Sequence, residues 1–308
     1  MTVLLAIVMV VALGTWIPLA QLLPGTPERT RLVYVAVGNV VFAGAALLVS
    51  GGGLTVGWRS FWLPLLGGVV WTGGNYCVFR ASATIGLARA AGTWTPLNIV
   101  VAFVWGALLF GELDGFSALR FVLLGAAFVV VVVGVLLVAG SRDTARAPVP
   151  PPPAGGVATT PDGRNGSTRR GLFWAIGAGI LWGTYFVPAQ WAGVPAQQSN
   201  VPLALGILLG ALALALPARE PVRLGLRAAG AQLGAGLLFG IGNLTLLGLV
   251  ARVGTGTGFT IAQLSLAVNA GIGIWVFHSP RPGTRQARTV LAGILTAGLG
   301  GCVIAAMR

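Results

Sequence analysis

Lysine is absent from the chain, histidine occurs once, and only six of the 308 residues are acidic. Charged residues make up 8% of the total. The acids are Glu28, Glu112, Asp114, Asp143, Asp162 and Glu220, and all fall between the long apolar runs. No pair of carboxylates, no Ser-His-Asp set and no metal-ligand cluster can be drawn at membrane depth. An enzyme is therefore not expected, and no cofactor or metal is called for. His278 stands alone at the end of an apolar run and reads as an interfacial residue. The two cysteines, Cys77 and Cys302, lie inside apolar runs without ligand spacing and read as small hydrophobes.

What is abundant is apolar. Hydrophobic residues make up 56% of the chain and the mean hydropathy is +0.89. Apolar runs of about 20 residues recur, each long enough to cross a hydrocarbon core about 30 Å thick. The 48 glycines suit close helix packing in lipid. Period-two alternation is missing, which argues against a β-barrel. The fold class is all-α integral membrane. Ten transmembrane helices are expected near 2–23, 32–50, 61–79, 86–110, 118–139, 171–192, 200–217, 228–249, 255–278 and 287–307. The opening "MTVLLAIVMVVALGTW" has no basic n-region and no small-x-small cleavage site, so it reads as a retained first helix.

The segment 141–170, "SRDTARAPVPPPPAGGVATTPDGRNGSTRR", cannot build a core and reads as a disordered linker. It divides the chain into a five-helix unit, 1–140, and a second, 171–308. The units resemble each other. "GGVVWTGGNY" (67–76) aligns with "AGLLFGIGNL" (235–244), placing Asn75 opposite Asn243 at a register of 168. "GTWIPLAQ" (14–21) aligns with "GTYFVPAQ" (183–190), placing Gln21 opposite Gln190. An odd number of spans per unit makes these two inverted repeats, a pattern of secondary transporters whose site lies at the repeat interface.

The net charge of +13 comes from 19 arginines. They sit in the gaps between apolar runs, with no basic stripe interleaved by aromatics, so nucleic acid is not an expected partner. Fifteen fall on the linker's side and four, Arg59, Arg120, Arg252 and Arg308, on the other. The positive-inside rule places the linker in the cytoplasm and both termini outside the cytoplasmic membrane.

Neutral polar residues concentrate in the first, third, fourth, sixth, eighth and ninth spans, while the second, fifth, seventh and tenth are nearly bare. The wider set includes Trp94, Thr95, Asn98, Trp182, Thr184, Thr255, Thr257, Thr260, Ser265 and Asn269. Asn and Gln amides donate and accept at once, matching sugar hydroxyls. Aromatic faces pack on the apolar side of a pyranose ring. A cation would call for buried carboxylates and an anion for buried arginines. The expected binding residues are Asn75, Tyr76, Gln190, Asn243 and Gln263, with Trp16, Trp71 and Tyr185 as stacking or gating faces. Any single Thr reads as glue between helices.

"TPLNIVVAFVWGALLFGE" (95–112), "FGIGNL" (239–244) and "VGTGTGFTIAQLS" (253–265), in this order within ten spans, resemble the bacterial glucose/ribose uptake group of the drug/metabolite transporter superfamily. The resemblance covers essentially the whole chain. It implies uptake of a monosaccharide, in some members driven by protons, and hence a small neutral sugar or polyol as partner. Two departures stand out. "HSP" (278–280) replaces the acidic helix end "FGE" (110–112) in the second unit, and no acid lies mid-membrane to carry a proton. A drug, metabolite or amino-acid exporter of the same superfamily is the alternative, since the tryptophans suit amphipathic cargo. A non-transporting scaffold is a third reading, resting on "PVPPPP" (148–153) as a polyproline ligand.

Overall fold

The computed structural model describes residues 2–23, 26–51, 53–54, 56–85, 87–111, 115, 117–140, 161–218, 223–254, 258, 261–278 and 280–306. Among them every regular element is helical. These are α1 (Thr2–Gln21), α2 (Glu28–Val49), α3 (Leu63–Ile85), α4 (Leu87–Leu109), α5 (Ala118–Gly140), α6 (Pro161–Trp182), α7 (Val187–Trp191), α8 (Ala196–Ala215), α9 (Leu226–Val253), α10 (Ser265–Trp275) and α11 (Arg285–Ala306). A wide π-type turn, Trp58–Trp62, leads into α3, and a 3₁₀ turn, Leu216–Ala218, ends α8. Local chemistry sets several ends. Glu28 lies in the first turn of α2, where its charge meets the positive end of the helix dipole. Gly254, at φ 82° and ψ 166°, takes a conformation open essentially to glycine alone and stops α9.

Helical residues lie under all ten expected spans, and among the described residues six helices are long and apolar enough to cross a membrane. Two spans depart from unbroken helices. The sixth begins at Pro161, inside the segment read as linker, and the proline's missing N–H costs nothing in a first turn. Residues 141–160 lie outside the described residues. The same span then breaks at Gly183–Phe186 before resuming as α7. The ninth span is interrupted at 263–264, after which α10 begins, and Thr255, Thr257 and Thr260 lie outside the described residues.

The packing pairs interchange between the two parts of the chain. α1 lies against α9 and α10, while α6 lies against α3 and α4. α2 packs on α9, and α8 packs on α3. α2 meets α8, and α5 meets α11. Glycines set how close these crossings come. A Cβ at Gly38 would strike the Leu233 carbonyl and one at Gly236 the Val35 carbonyl. At the other crossing, a Cβ at Gly206 would strike the Leu65 carbonyl and one at Gly68 the Leu203 carbonyl. Every atom named at one crossing lies 168 residues from its counterpart at the other. Such backbone contact replaces the hydrophobic drive that is missing between helices in lipid.

The outer surface is apolar. Leu48, Val49, Phe173 and Leu299 are well exposed, as are Val122, Val129 and Leu136 along α5. Continuous exposure of this kind does not persist in water and matches contact with acyl chains. The chain is a multi-pass membrane protein with one large buried core drawn from α1, α2, α3, α4, α6, α8 and α9. Two small clusters tie the α5–α11 pair to the rest, one between α4 and α5 and one between α10 and α11.

Candidate functional site

A cavity of about 90 Å³ lies at the centre of the bundle, between α1, α3, α4, α6, α9 and α10. A single water occupies roughly 10–15 Å³ on this scale, so the space holds several. Its floor and walls are aromatic. The rings of Trp16 and Trp71 lie 5.8 Å apart, those of Trp71 and Trp182 stack at 6.0 Å, and Phe239 sits 4.3 Å from Trp71. Trp94 meets Trp182 edge to face at 5.9 Å. Trp182 can occupy this place because residue 74 is glycine. A Cβ there would fall 2.5 Å from Trp182 Cδ1.

Polar groups complete the lining: Thr95, Asn98, Tyr185, Gln263, Ser265 and Asn269. No charged side chain is among the described residues that line it. On α4, Ala91, Trp94, Thr95 and Asn98 recur at helical spacing, so one face of that helix turns toward the cavity. The Oδ1 of Asn98 is buried without a partner, as is Nε1 of Trp182, so the lining holds an acceptor and a donor available to a ligand.

Behind Tyr185 runs a buried relay. The Tyr185 hydroxyl donates to Asn243 Oδ1 at 3.0 Å, and Asn243 Nδ2 donates to Asn200 Oδ1 at 3.4 Å. Tyr185 belongs to the broken stretch before α7, Asn243 to α9 and Asn200 to α8, so three elements are tied together. The break itself is held by Thr184, whose Oγ1 donates to the Ile180 carbonyl and accepts from Trp105 Nε1 at 3.0 Å.

Of the residues expected from sequence, Trp16, Trp71, Tyr185 and Gln263 line the cavity. Asn243 stands one hydrogen bond behind it. Asn75 is fully buried away from the lining, with both amide atoms unpartnered. Tyr76 faces a different cluster. Its ring meets Trp174 edge on, and the guanidinium groups of Arg29 and Arg80 lie 5.8 and 6.0 Å from its centre. Arg80 also pairs with Glu28 at 3.4 Å. Gln190, on α7, is half-buried and outside the lining. Sequence reasoning overlooked Asn200, because the seventh span looked nearly bare. It also left Asn98, Asn269 and Trp182 in the wider polar set, although the helical spacing of Trp94, Thr95 and Asn98 was a usable signal.

The family comparison decides the class of protein. A model of the family described as "Sugar transport protein" matches residues 4–307. The chain belongs to this sugar transport family. Family members are transport proteins and not enzymes, so the chain is a membrane sugar transporter. A protein of Lactiplantibacillus plantarum named "Putative sugar uptake protein" is 23% identical over all of both chains. Another from that organism, "Putative ribose uptake protein RbsU", is 24% identical, with 92% of this chain and 90% of the relative covered. A "Putative sugar uptake protein" of Bacillus cereus is 24% identical over 100% of this chain and 99% of its own. One crystal structure superposes with a TM-score of 0.64 at 18% identity, covering 99% of this chain and 97% of that one, and so shares its fold.

Proposed function

We propose that the chain carries a neutral, glucose-like monosaccharide across the cytoplasmic membrane by alternating access, with the site between two inverted five-helix repeats. The observation that carries this reading is the central cavity. Its aromatic walls, neutral amides and lack of charge among the described lining residues suit a hydroxylated ring and disfavour an ion. The relatives named for sugar and ribose uptake support the substrate class. The repeat reading is supported by the two glycine crossings, whose contacting atoms correspond at 168 residues. Arginine counting supports a cytoplasmic linker and external termini.

Gln263, Asn98 and Asn269 are assigned to the sugar hydroxyls, with Trp16, Trp71 and Tyr185 on its faces. Asn243 acts through Tyr185. Asn75, Tyr76 and Gln190 are assigned to the pathway in the opposite-facing state, since all three lie off the present cavity. Uptake of labelled glucose and labelled ribose into proteoliposomes, with unlabelled sugars and amino acids as competitors, tests the reading. Saturable uptake blocked by sugars is expected, with Gln263→Ala and Asn98→Ala each raising KM about tenfold, as loss of one good hydrogen bond predicts. Inhibition dominated by amino acids, or unchanged KM in both variants, would overturn it. A gradient of pH imposed on the same vesicles then shows whether flux follows protons.

A further inference from the structure

The cavity has an apolar annex. A second space of about 20 Å³ lies between α4, α5, α10 and α11. Thr95, Gln263 and Leu266 line both spaces, so the two adjoin at the interruption that precedes α10. Beyond these shared residues the annex is walled by Pro96, Ile99, Ile294 and Ala297 together with glycines. Gly298 lines the annex and has room for a side chain. A Cβ at Gly298 would meet only Leu264 Cδ2, at 3.8 Å, which is ordinary contact.

Size and chemistry limit the occupant. A space of 20 Å³ takes one water-sized group, and the largely apolar walls offer a water few of the polar partners that ordered water needs. A methyl group fits the volume and gains by leaving water. A hydroxymethyl group would carry a hydroxyl into a place with few partners for it. We propose that the annex is a subsite for a short apolar substituent on the transported sugar. The transporter then prefers a methyl-bearing sugar, such as a 6-deoxyhexose or an O-methyl hexose, over the parent hexose. This rests on reading the central cavity as the sugar site.

The test is a competition series against labelled hexose uptake in proteoliposomes, using glucose, 6-deoxyglucose and glucose O-alkylated with methyl, ethyl, butyl or octyl at C1 or C6. Affinity is expected to rise about fourfold at the first methyl in at least one position, as one buried methylene-sized group predicts, and then to level off or fall. Gly298→Val fills the annex. It is expected to abolish that rise while leaving the KM for glucose within about twofold. A flat series overturns the proposal. So does a rise that continues through octyl, which marks a slot open to lipid. A rise that survives in Gly298→Val overturns it as well. Titrating intrinsic tryptophan fluorescence with the same sugars reads binding without transport. If uptake fails but the quench tightens at the first methyl only when residue 298 is glycine, the annex stands and the transport reading falls. If uptake is saturable and neither assay shows the step, the annex alone falls.

Discussion

Residues 14–21 and 183–190, "GTWIPLAQ" and "GTYFVPAQ", share four of eight positions, yet they fold differently. The first continues as the last turns of α1, with Pro18 inside the helix. The second breaks at Gly183–Phe186 and restarts as α7, with Pro188 in its first turn. The proline lies one residue further from the Gly-Thr pair in the second copy. There it occupies a position where no N–H is needed, so it opens a new helix instead of interrupting one. The partners differ too. Tyr185 has Asn243 and Asn200 behind it, whereas the corresponding positions in the first copy hold Trp16, Asn75 and Leu32. One copy has a hydrogen-bonded relay and the other an aromatic wall with an amide left unpartnered. Similar stretches, with glycine crossings that correspond at 168 residues, thus carry different local structure.

The glycine crossings are where substitutions are expected to act most strongly and most equally. Gly38→Leu and Gly206→Leu each drive a side chain into a facing backbone carbonyl, so both are expected to lose folded, monodisperse protein on size-exclusion chromatography. Gly44→Leu, where a Cβ meets nothing within 4 Å, is expected to elute as the parent does. Unequal outcomes at residues 38 and 206 would break the equivalence of the two crossings.

The two parts of the chain should separate at the paired amides. Asn243→Leu removes the hydrogen bonds that join Tyr185, Asn243 and Asn200 and is expected to destabilise by about 1–3 kcal/mol. Asn75→Leu removes an amide that has no partner and is expected to be neutral or stabilising in thermal unfolding. Equal losses would erase the distinction. The smallest effect is expected at the break. Trp105→Phe removes the indole donor to Thr184 and should cost about 1 kcal/mol, whereas the Thr15 hydroxyl in α1 donates to the Val11 and Ala12 carbonyls of its own helix.

Much of this was legible in advance. The ten apolar runs and the clustering of neutral polar residues in six spans follow from local composition, and the cavity is lined from those six spans. Trp16, Trp71, Tyr185 and Gln263, which line the cavity, stood out in the sequence because each is a polar or aromatic interruption of an apolar run. Asn200 was not, because a single amide near a helix start carries no periodic signal. Asn75 and Tyr76 show the reverse problem. Polar residues on one helix can point to the core, to a charged cluster or to the cavity, and the span alone does not say which. Tyr76 went to Arg29, Arg80 and Trp174, whose neighbourhood arises only when α2, α3 and α6 come together.

The sequence by itself determined that the chain is helical, lies in a membrane and offers almost no charge along its apolar runs. Each of these depends on hydropathy, spacing or the scarcity of charge, which act along the chain. Tertiary structure alone decided which amides meet the cavity, where the sixth and ninth spans break, and that an apolar annex adjoins Gln263. Those features depend on which helices meet and how closely, and the closeness is set by glycines pressed against carbonyls far away in sequence.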